Sequence, residues 1–260
     1  MIDVRDDSTS GTPRALIDQP GPLNLVVSDW AALSVQGRQR LTNEDGWKQL
    51  GPLFMVADGM GGLIDGQDTS SLAVASVANR WLAAGDPMPE EVVRGANSDV
   101  RAAMASKGIE SGCTLTAVRI AHDTATVVHV GDSRLYRVRA GQAEQLTRDH
   151  NLRSELLAAG IVPRASQSLG PLQALTSYLG IDDSELQVDV RSVGLRSGDR
   201  LLLCTDGVFN DLNHSELAQI LRTGDAHQVA DALTSTSHAD DATAVVVDID
   251  RADLPRVMHP

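Results

Sequence analysis

The chain has 260 residues, of which 42% are hydrophobic, and its formal net charge is −13 at pH 7. This length suits one large domain or two small ones, and the acidic balance argues against a nucleic-acid-binding protein, which needs a basic face. No apolar stretch approaches the length of a membrane span, and the N-terminus lacks the pattern of a signal peptide. Two cysteines, Cys113 and Cys204, lie within apolar runs, so we expect no disulfide scaffold and a reducing, cytoplasmic setting.

The N-terminal part of the chain divides into a polar arm and the first strands. Residues 1–22 are polar and proline-containing, which predicts a flexible arm before a single domain over 23–260. Short strands are predicted at 23–27 and 31–35, with a polar loop after them. The apolar run 53–57 predicts a buried strand, and it ends in Asp58 and closely spaced glycines that predict a turn.

Helices and then strands follow along the rest of the chain. The apolar periodicity predicts two adjacent helices, and the Val-, Leu- and Thr-rich runs after them predict an antiparallel meander. The predicted helices are 65–84, 89–106, 151–159, 214–221 and 227–234, and the predicted strands are 113–120, 124–130, 135–139, 143–146, 186–190, 200–204 and 242–249. This order predicts an α+β fold in which helices pack on stacked sheets.

Acidic residues recur where predicted strands end or begin. They are Asp58, Asp132, Asp206 and the pair Asp240 and Asp241. Because antiparallel neighbours place the end of one strand beside the start of the next, we expect these carboxylates to converge on one rim. Their mutual repulsion would raise several pKa values, and divalent cations would relieve it. An all-oxygen ligand set suits Mg²⁺ or Mn²⁺ rather than zinc.

A pair of such ions suits hydrolysis at phosphorus. Two ions about 3.5–4 Å apart can activate a water and clamp the oxygens of an in-line displacement. The phosphate should be held by an arginine, whose fork matches two phosphate oxygens, and Arg38 and Arg40 in the polar loop are candidates. Each residue taken alone has a simpler interpretation, a plain turn or a solvated surface charge. The combination favours a metal-dependent phosphohydrolase.

Seven short motifs, in order along residues 23–250, resemble those of a known family. The motifs are Arg-Leu-Thr-Asn-Glu-Asp at 40–45, Val-Ala-Asp-Gly-Met-Gly-Gly at 56–62, Ser-Gly-Cys-Thr at 111–114, Val-Gly-Asp-Ser-Arg-Leu-Tyr at 130–136, Leu-Thr-Arg-Asp-His at 146–150, Cys-Thr-Asp-Gly-Val at 204–208 and Asp-Asp-Ala-Thr at 240–243. In this order they resemble the motifs of the metal-dependent protein serine/threonine phosphatases of the protein phosphatase 2C type, in their single-domain bacterial form.

The resemblance implies a fold, a reaction and a set of partners. The fold would be a four-layer α-β-β-α sandwich with two central, mainly antiparallel sheets. The reaction would be hydrolysis of phosphoserine and phosphothreonine in proteins by a water that bridges two Mn²⁺ or Mg²⁺ ions, with a possible third ion. The partners would be phosphoprotein substrates and a Ser/Thr kinase or its targets. We expect a monomer that binds neither nucleic acid nor membrane.

The resemblance also implies which residues hold the metals. By motif position, Asp58 would bridge the two ions and the Gly59 carbonyl would bind the second. Asp206 and Asp240 would bind the first ion, and Asp132 would contribute to a third, weaker site.

Three catalytic residues are implied in the same way. Arg40 would bind the phosphate, Asp45 would orient the metal-bound water, and Asp58 would act through the metals. Residues 147–180 resemble the variable flap of the family, which is thought to affect the choice of substrate.

The chain departs from the family pattern at three positions. Met60 stands where animal members have a histidine that can act as general acid, and His150 is a weak substitute for which a structural role is favoured. Asp241 stands where many members have asparagine, so the ligand choice between Asp240 and Asp241 is open. Cys113 replaces a threonine, and we expect this substitution to lie in the core and to have no effect on function.

Two other interpretations are weighed against this one. Cys113 and Arg119 have the spacing of tyrosine phosphatases, but the residues between them lack glycine and are typical of a strand. A pseudophosphatase that binds phosphoproteins without turnover is the second alternative. The retention of every acidic position and of Arg40 argues against it.

Overall fold

The computed structural model describes residues 25–61, 65–84, 87–163, 170–235 and 238–252. The predicted arm over 1–22 lies outside the described residues, as do Gly62 of the glycine-rich motif and positions 164–169 of the predicted flap.

The strands form two sheets. Their bounds are β1 Leu25–Val35, β2 Asp45–Leu50, β3 Leu53–Met60, β4 Gly112–Cys113, β5 Leu115–Ala121, β6 Thr124–Val130, β7 Arg134–Arg139, β8 Gln142–Gln145, β9 Asp189–Gly194, β10 Asp199–Cys204 and β11 Ala242–Arg251. One sheet has the order β1-β11-β10-β7-β8, and the other has the order β2-β3-β5-β6-β9, with β4 also paired to β3. Neighbouring strands in both sheets are antiparallel.

Most of the helices lie on the outer faces of the sheets, whereas the third, Leu152–Ala158, buries no side chain. Their bounds are α1 Asp65–Ala84, α2 Pro89–Lys107, α3 Leu152–Ala158, α4 Asp206–Phe209, α5 His214–Ile220 and α6 Ala226–Thr234, with a 3-10 turn at Gly170–Gln173. None of the helices in the described ranges is long and apolar enough to cross a membrane.

Three apolar cores separate four layers, and the alternation of side chains along single strands builds them. In β3, Met55 faces the core under α1 and α2, whereas Phe54 faces the core between the two sheets. In β10, Leu203 joins that central core, whereas Leu202 faces the third core under α5 and α6. A strand covered on both faces must be apolar at successive positions, which explains the continuous runs in these two strands. The predicted α-β-β-α sandwich is thereby confirmed.

The predicted meander is wrong in one respect. Strands β5 and β6 pair in one sheet, but β7 and β8 belong to the other. The chain changes sheets at Gly131, whose φ of +99° is a backbone conformation that glycine adopts without strain and other residues rarely adopt. A short polar turn does not encode which sheet the next strand joins, and this crossing carries Asp132 to the edge between the sheets.

Three further strand predictions differ from the structure. The two pieces predicted at 23–27 and 31–35 are one strand with a register shift between Val27 and Asp29. The sequence predicts no strand at β2, and the first residue of β2 falls in the predicted polar loop. The strand was missed because it is polar and lies at a sheet edge. Strand β9 begins at Asp189, later than the predicted 186, because Leu186 packs into the core under α1 and α2 instead.

Candidate active site

The ends of several strands bring the predicted acidic residues to one rim of the sandwich. Asp45 opens β2 and lies directly opposite Asp58 of β3 in the antiparallel register. Asp206 follows β10 and opens α4, and Asp132 lies in the crossing after β6. Asp240 lies just before β11.

Asp58 is the centre of this carboxylate cluster. Burial raises its pKa well above the usual value, and the charges of Asp45, Asp206, Asp132 and Asp240 raise it further. Asp58, Asp132, Asp206 and Asp240 therefore come together as the sequence predicted, and Asp45, which that prediction did not include, joins them. A cluster of carboxylates with raised pKa values stays protonated until a cation or another positive charge takes the place of the protons.

The backbone around Asp58 is fixed by a hydroxyl chain. Its N–H donates to Thr114 Oγ1 at 2.9 Å, and the Thr114 N–H donates to the Asp58 carbonyl at 2.9 Å. The Thr114 hydroxyl in turn contacts Ser133 Oγ at 2.6 Å. The backbone of Asp58 at the end of this buried strand is thus held in place by Thr114, and Thr114 by Ser133 after the Gly131 crossing.

Asp45 has one anchored and one unpartnered oxygen. Its Oδ2 accepts hydrogen bonds from Thr205 Oγ1 at 2.8 Å and Thr243 Oγ1 at 2.6 Å. Its Oδ1 is buried and has no partner among the described residues. Burial raises the pKa of Asp45 to about 7, against the effect of the two threonine hydroxyls.

Asp206 and Asp132 have similar surroundings. Asp206 Oδ2 accepts from Asn210 Nδ2 at 3.0 Å, while its Oδ1 is buried without a partner in the described part of the chain. Burial and then Asp240 raise the pKa of Asp206. Burial, followed by the charge of Asp206, raises the pKa of Asp132 to about 7.

Arg40 supplies positive charge at this rim. Its Nε and Nη2 donate to the two carboxylate oxygens of Asp240, the latter at 2.7 Å, and its Nη1 donates to Glu44 Oε2 at 3.1 Å. The bidentate pair with Asp240 raises the pKa of Arg40, so the guanidinium is charged at every ordinary pH. For Arg38, the backbone N–H donates to the His238 carbonyl at 3.1 Å.

Asp240 and Asp241 have different surroundings. Asp241 is buried, and its two oxygens accept from the backbone N–H groups of Gly37 and Glu44, each at 2.8 Å. The Asp240 side chain is 35% exposed and faces Arg40. Asp241 therefore anchors the loop before β2, which leaves Asp240 as the better placed of the two to meet a cation.

The donor set fits hard divalent cations, although the side chains are not gathered around one point. Within the described ranges, no three His, Cys, Asp or Glu side chains are close enough together to hold one ion as they stand. Asp240 is paired with Arg40. The donors are nevertheless all carboxylate oxygens, and two of these oxygens are buried without partners among the described residues. This combination of raised pKa values and unsatisfied oxygens fits Mg²⁺ or Mn²⁺.

Gly59 and Gly207 lie where there is no room for a side chain. An added Cβ at Gly59 would lie 2.2 Å from the Gly66 carbonyl oxygen, and one at Gly207 would lie 2.1 Å from the Asp241 carbonyl oxygen. The protein's own backbone therefore lies against these two glycines and packs the motifs against one another.

His150 has a structural position. It is buried, its Nδ1 accepts the Gly131 N–H at 3.2 Å, and its Nε2 lies 3.3 Å from Asp189 Oδ2. Both ring nitrogens are thus engaged in holding the Gly131 crossing and β9, in agreement with the structural role favoured from the sequence.

Cys113 does not have the surroundings of a nucleophile. It is fully buried in β4, and burial raises the pKa of its thiol above the usual range. Arg119 belongs to β5, so the intervening residues form strands rather than a phosphate-binding loop. The tyrosine phosphatase alternative is therefore excluded by the local structure.

Sequence reasoning missed the residues that position the carboxylates. Glu44 is buried beside Arg40, and burial raises its pKa. Thr205 and Thr243 hold Asp45 from more than 150 residues away in the sequence. A usable signal was present, since Thr205 directly precedes an acidic motif residue and Thr243 follows a pair of them, as polar residues at the ends of apolar strands.

The chain is similar to known phosphatases. The sequence profile of the protein phosphatase 2C family matches residues 38–248. Serine/threonine protein phosphatase PstP of Mycobacterium tuberculosis is 31% identical over 235 residues, which cover 86% of this chain and 45% of PstP. The chain thus spans less than half the length of that relative. Serine/threonine phosphatase stp of Listeria innocua is 31% identical over 206 residues, covering 72% of this chain and 81% of stp.

A solved structure shows the same architecture. The catalytic domain of PstP in complex with two manganese ions has a TM-score of 0.76 and 28% identity to this chain, covering 87% of this chain and 99% of that domain.

Proposed function

Because the chain belongs to the protein phosphatase 2C family, we propose that it hydrolyses phosphoserine and phosphothreonine in proteins with the help of two divalent cations. The observation that carries this proposal is the convergence of Asp45, Asp58, Asp132, Asp206 and Asp240 beside a charged arginine. A related catalytic domain binds two manganese ions, which supports Mn²⁺ or Mg²⁺ as the cofactor.

The proposed ligands follow the motif positions. Asp58 would hold both cations, with the Gly59 carbonyl on one side and Asp206 and Asp240 on the other. Asp132 would serve a possible third ion, and burial together with the charge of Asp206 raises its pKa to about 7. When bound, the cations supply Lewis acidity that makes water nucleophilic at neutral pH and neutralises charge on the phosphoryl oxygens.

Arg40 and Asp45 have the proposed roles nearest the substrate. The Arg40 guanidinium, oriented by Asp240 and Glu44, would bind two oxygens of the phosphate. Asp45 Oδ1, which has no partner among the described residues, would accept a hydrogen bond from the attacking water and orient it. The two threonine hydroxyls on Asp45 Oδ2 prevent the carboxylate from turning away.

The proposal also covers the class of substrate, the location and the oligomeric state. Family relatives are Ser/Thr protein phosphatases, which supports phosphoprotein substrates and opposition to a Ser/Thr kinase. The two cysteines are unpaired and buried, which supports a reducing, cytoplasmic location. A monomer remains the expected state.

The deciding experiment is phosphate release from a phosphothreonine peptide with Mn²⁺, with Mg²⁺, and with a chelator. We expect release with either metal and none after chelation. Binding of the peptide without release under Mn²⁺ would favour the pseudophosphatase, and release that survives chelation would contradict the metal-dependent reaction.

A further inference from the structure

A cleft of about 700 Å³ lies where β3 ends. We call it the Met60 cleft, lined among others by Met60, Met104, Ile109, Glu110, Tyr178 and Glu185. It begins at the end of β3, because Met60 is two residues beyond Asp58. A peptide whose phosphorylated residue reaches Asp58 therefore has this cleft within reach of a neighbouring side chain, since each extended residue adds about 3.3 Å.

The floor of the Met60 cleft is apolar and aromatic. An added Cβ at Gly112 would lie 2.5 Å from Tyr178 Cδ2 and 2.8 Å from Met60 Cε, so the ring and the thioether pack closely over the glycine backbone. Tyr178, Met60 and Ile109 are all partly exposed. Such a surface suits the methylene stem of a long side chain and, over the ring, a cationic head.

The charges of the Met60 cleft are unbalanced. Arg101 is paired with Asp182 at 2.9 Å. Glu110 and Glu185 are exposed, and neither has a salt bridge or side-chain hydrogen bond among the described residues. Acidic residues nearby do have partners, such as Asp68 with Lys107. The two glutamates therefore leave a net negative charge at the mouth of the cleft.

We propose that the Met60 cleft selects phosphoprotein substrates with an arginine or lysine close to the phosphorylated serine or threonine. This inference rests on the proposed function and adds a substrate class to it. The stem of the basic residue would lie on Met60 and Ile109, and its charge would face Tyr178, Glu110 and Glu185. An acidic residue at the same position of the substrate would be repelled by the two glutamates.

The test uses phosphothreonine peptides that are identical except for arginine, alanine or glutamate at each flanking position in turn. At low ionic strength with Mn²⁺, we expect kcat/KM for the best arginine peptide to exceed that of its glutamate counterpart by about tenfold, the order expected of two exposed ion pairs. The preference should shrink as NaCl is raised to 0.5 M, because salt screens exposed charges.

The double variant Glu110→Gln/Glu185→Gln should reduce this preference to about twofold or less, while hydrolysis of p-nitrophenyl phosphate stays unchanged. Glu91→Gln is the matched control, because Glu91 is an exposed glutamate of α2 outside the cleft. Equal kcat/KM for the arginine and glutamate peptides in the wild type, or an unchanged preference in the double variant, would overturn the inference while leaving the proposed function intact. Failure of the wild type to hydrolyse p-nitrophenyl phosphate and every peptide would overturn both.

Discussion

Asp45 and Asp58 face each other across two antiparallel strands, yet their carboxylates have different surroundings. Two threonine hydroxyls hold one oxygen of Asp45, whereas Asp58 is surrounded chiefly by other carboxylates. Hydrogen bonds to a carboxylate favour its charged form, and neighbouring negative charges disfavour it. At the scale of residues, Asp45 is therefore suited to accept a hydrogen bond from water, and Asp58 to bind cations.

Asp58→Asn should abolish activity without unfolding the protein. The substitution removes a charge whose pKa is raised by burial and by its neighbours, so the metal-free variant should unfold at the same temperature as the wild type or higher. Phosphate release with Mn²⁺ should fall by at least about 100-fold, because a proposed ligand of both cations is lost. Asp231→Asn, an exposed position of α6, is the control. Wild-type activity in Asp58→Asn would contradict the site assignment.

Arg40→Ala should act mainly on substrate binding. An arginine that contacts the phosphate equally in the ground and transition states changes KM more than kcat, and we expect KM to rise by roughly 10–100-fold. Arg40→Lys should recover only part of the loss, because it keeps the charge but not the fork that pairs with Asp240. Steady-state kinetics on one phosphopeptide separates the two constants. A fall in kcat at constant KM would indicate a role confined to the transition state.

At the scale of elements, the motifs hold one another in place by backbone contacts. Gly59 of β3 lies against the first turn of α1, and Gly207 of α4 lies against the backbone before β11. Asp241 joins this packing by accepting the N–H groups of Gly37 and Glu44. The glycines of the motifs therefore serve to bring separate elements, and with them the carboxylates, into close contact.

Gly207→Ala should destabilise the protein strongly. The added Cβ would lie 2.1 Å from the Asp241 carbonyl oxygen, a backbone atom that cannot rotate away. We expect a loss of about 3 kcal/mol in the free energy of unfolding, or roughly 10 °C in Tm. Gly194→Ala in β9 is the matched control, since an added Cβ there meets nothing within 4 Å. Equal Tm values for the two variants would show that the backbone around Gly207 can adjust.

At the scale of the whole molecule, the two sheets meet along a rim that collects negative charge. The chain carries a net charge of −13, and the cluster concentrates part of it in a partly buried place. The metal-free protein is therefore strained electrostatically at neutral pH, and cations would stabilise the fold as well as supply the chemistry.

Mn²⁺ should stabilise the protein more at pH 7.5 than at pH 5.5. The pKa values of Asp45 and Asp132 are raised to about 7 from 3.8, so the stability that these groups contribute is present below about pH 4 and is lost as the pH rises through about 7. Protons also compete with the cation at low pH. Thermal unfolding with chelator and with saturating Mn²⁺ at several pH values measures the difference. A Tm increase that is independent of pH would contradict the role of these carboxylates.

The sequence by itself determined the layers and most of the acidic residues of the site. The apolar runs of β3, β10 and β11 identified strands, and the structure shows why they are apolar at successive positions: each is covered on both faces. The same runs ended or began at Asp58, Asp206 and Asp240, which marked the rim.

Only the tertiary structure decided how these pieces meet. The change of sheet at Gly131 and the edge strand β2 depend on pairings with distant strands, which a local pattern does not record. Asp45 is held by Thr205 and Thr243, 160 and 198 residues further along the chain. The sequence marks these threonines only as polar residues at the ends of apolar strands and does not show that they meet Asp45, so the geometry that orients each carboxylate arises only when the two sheets pack together.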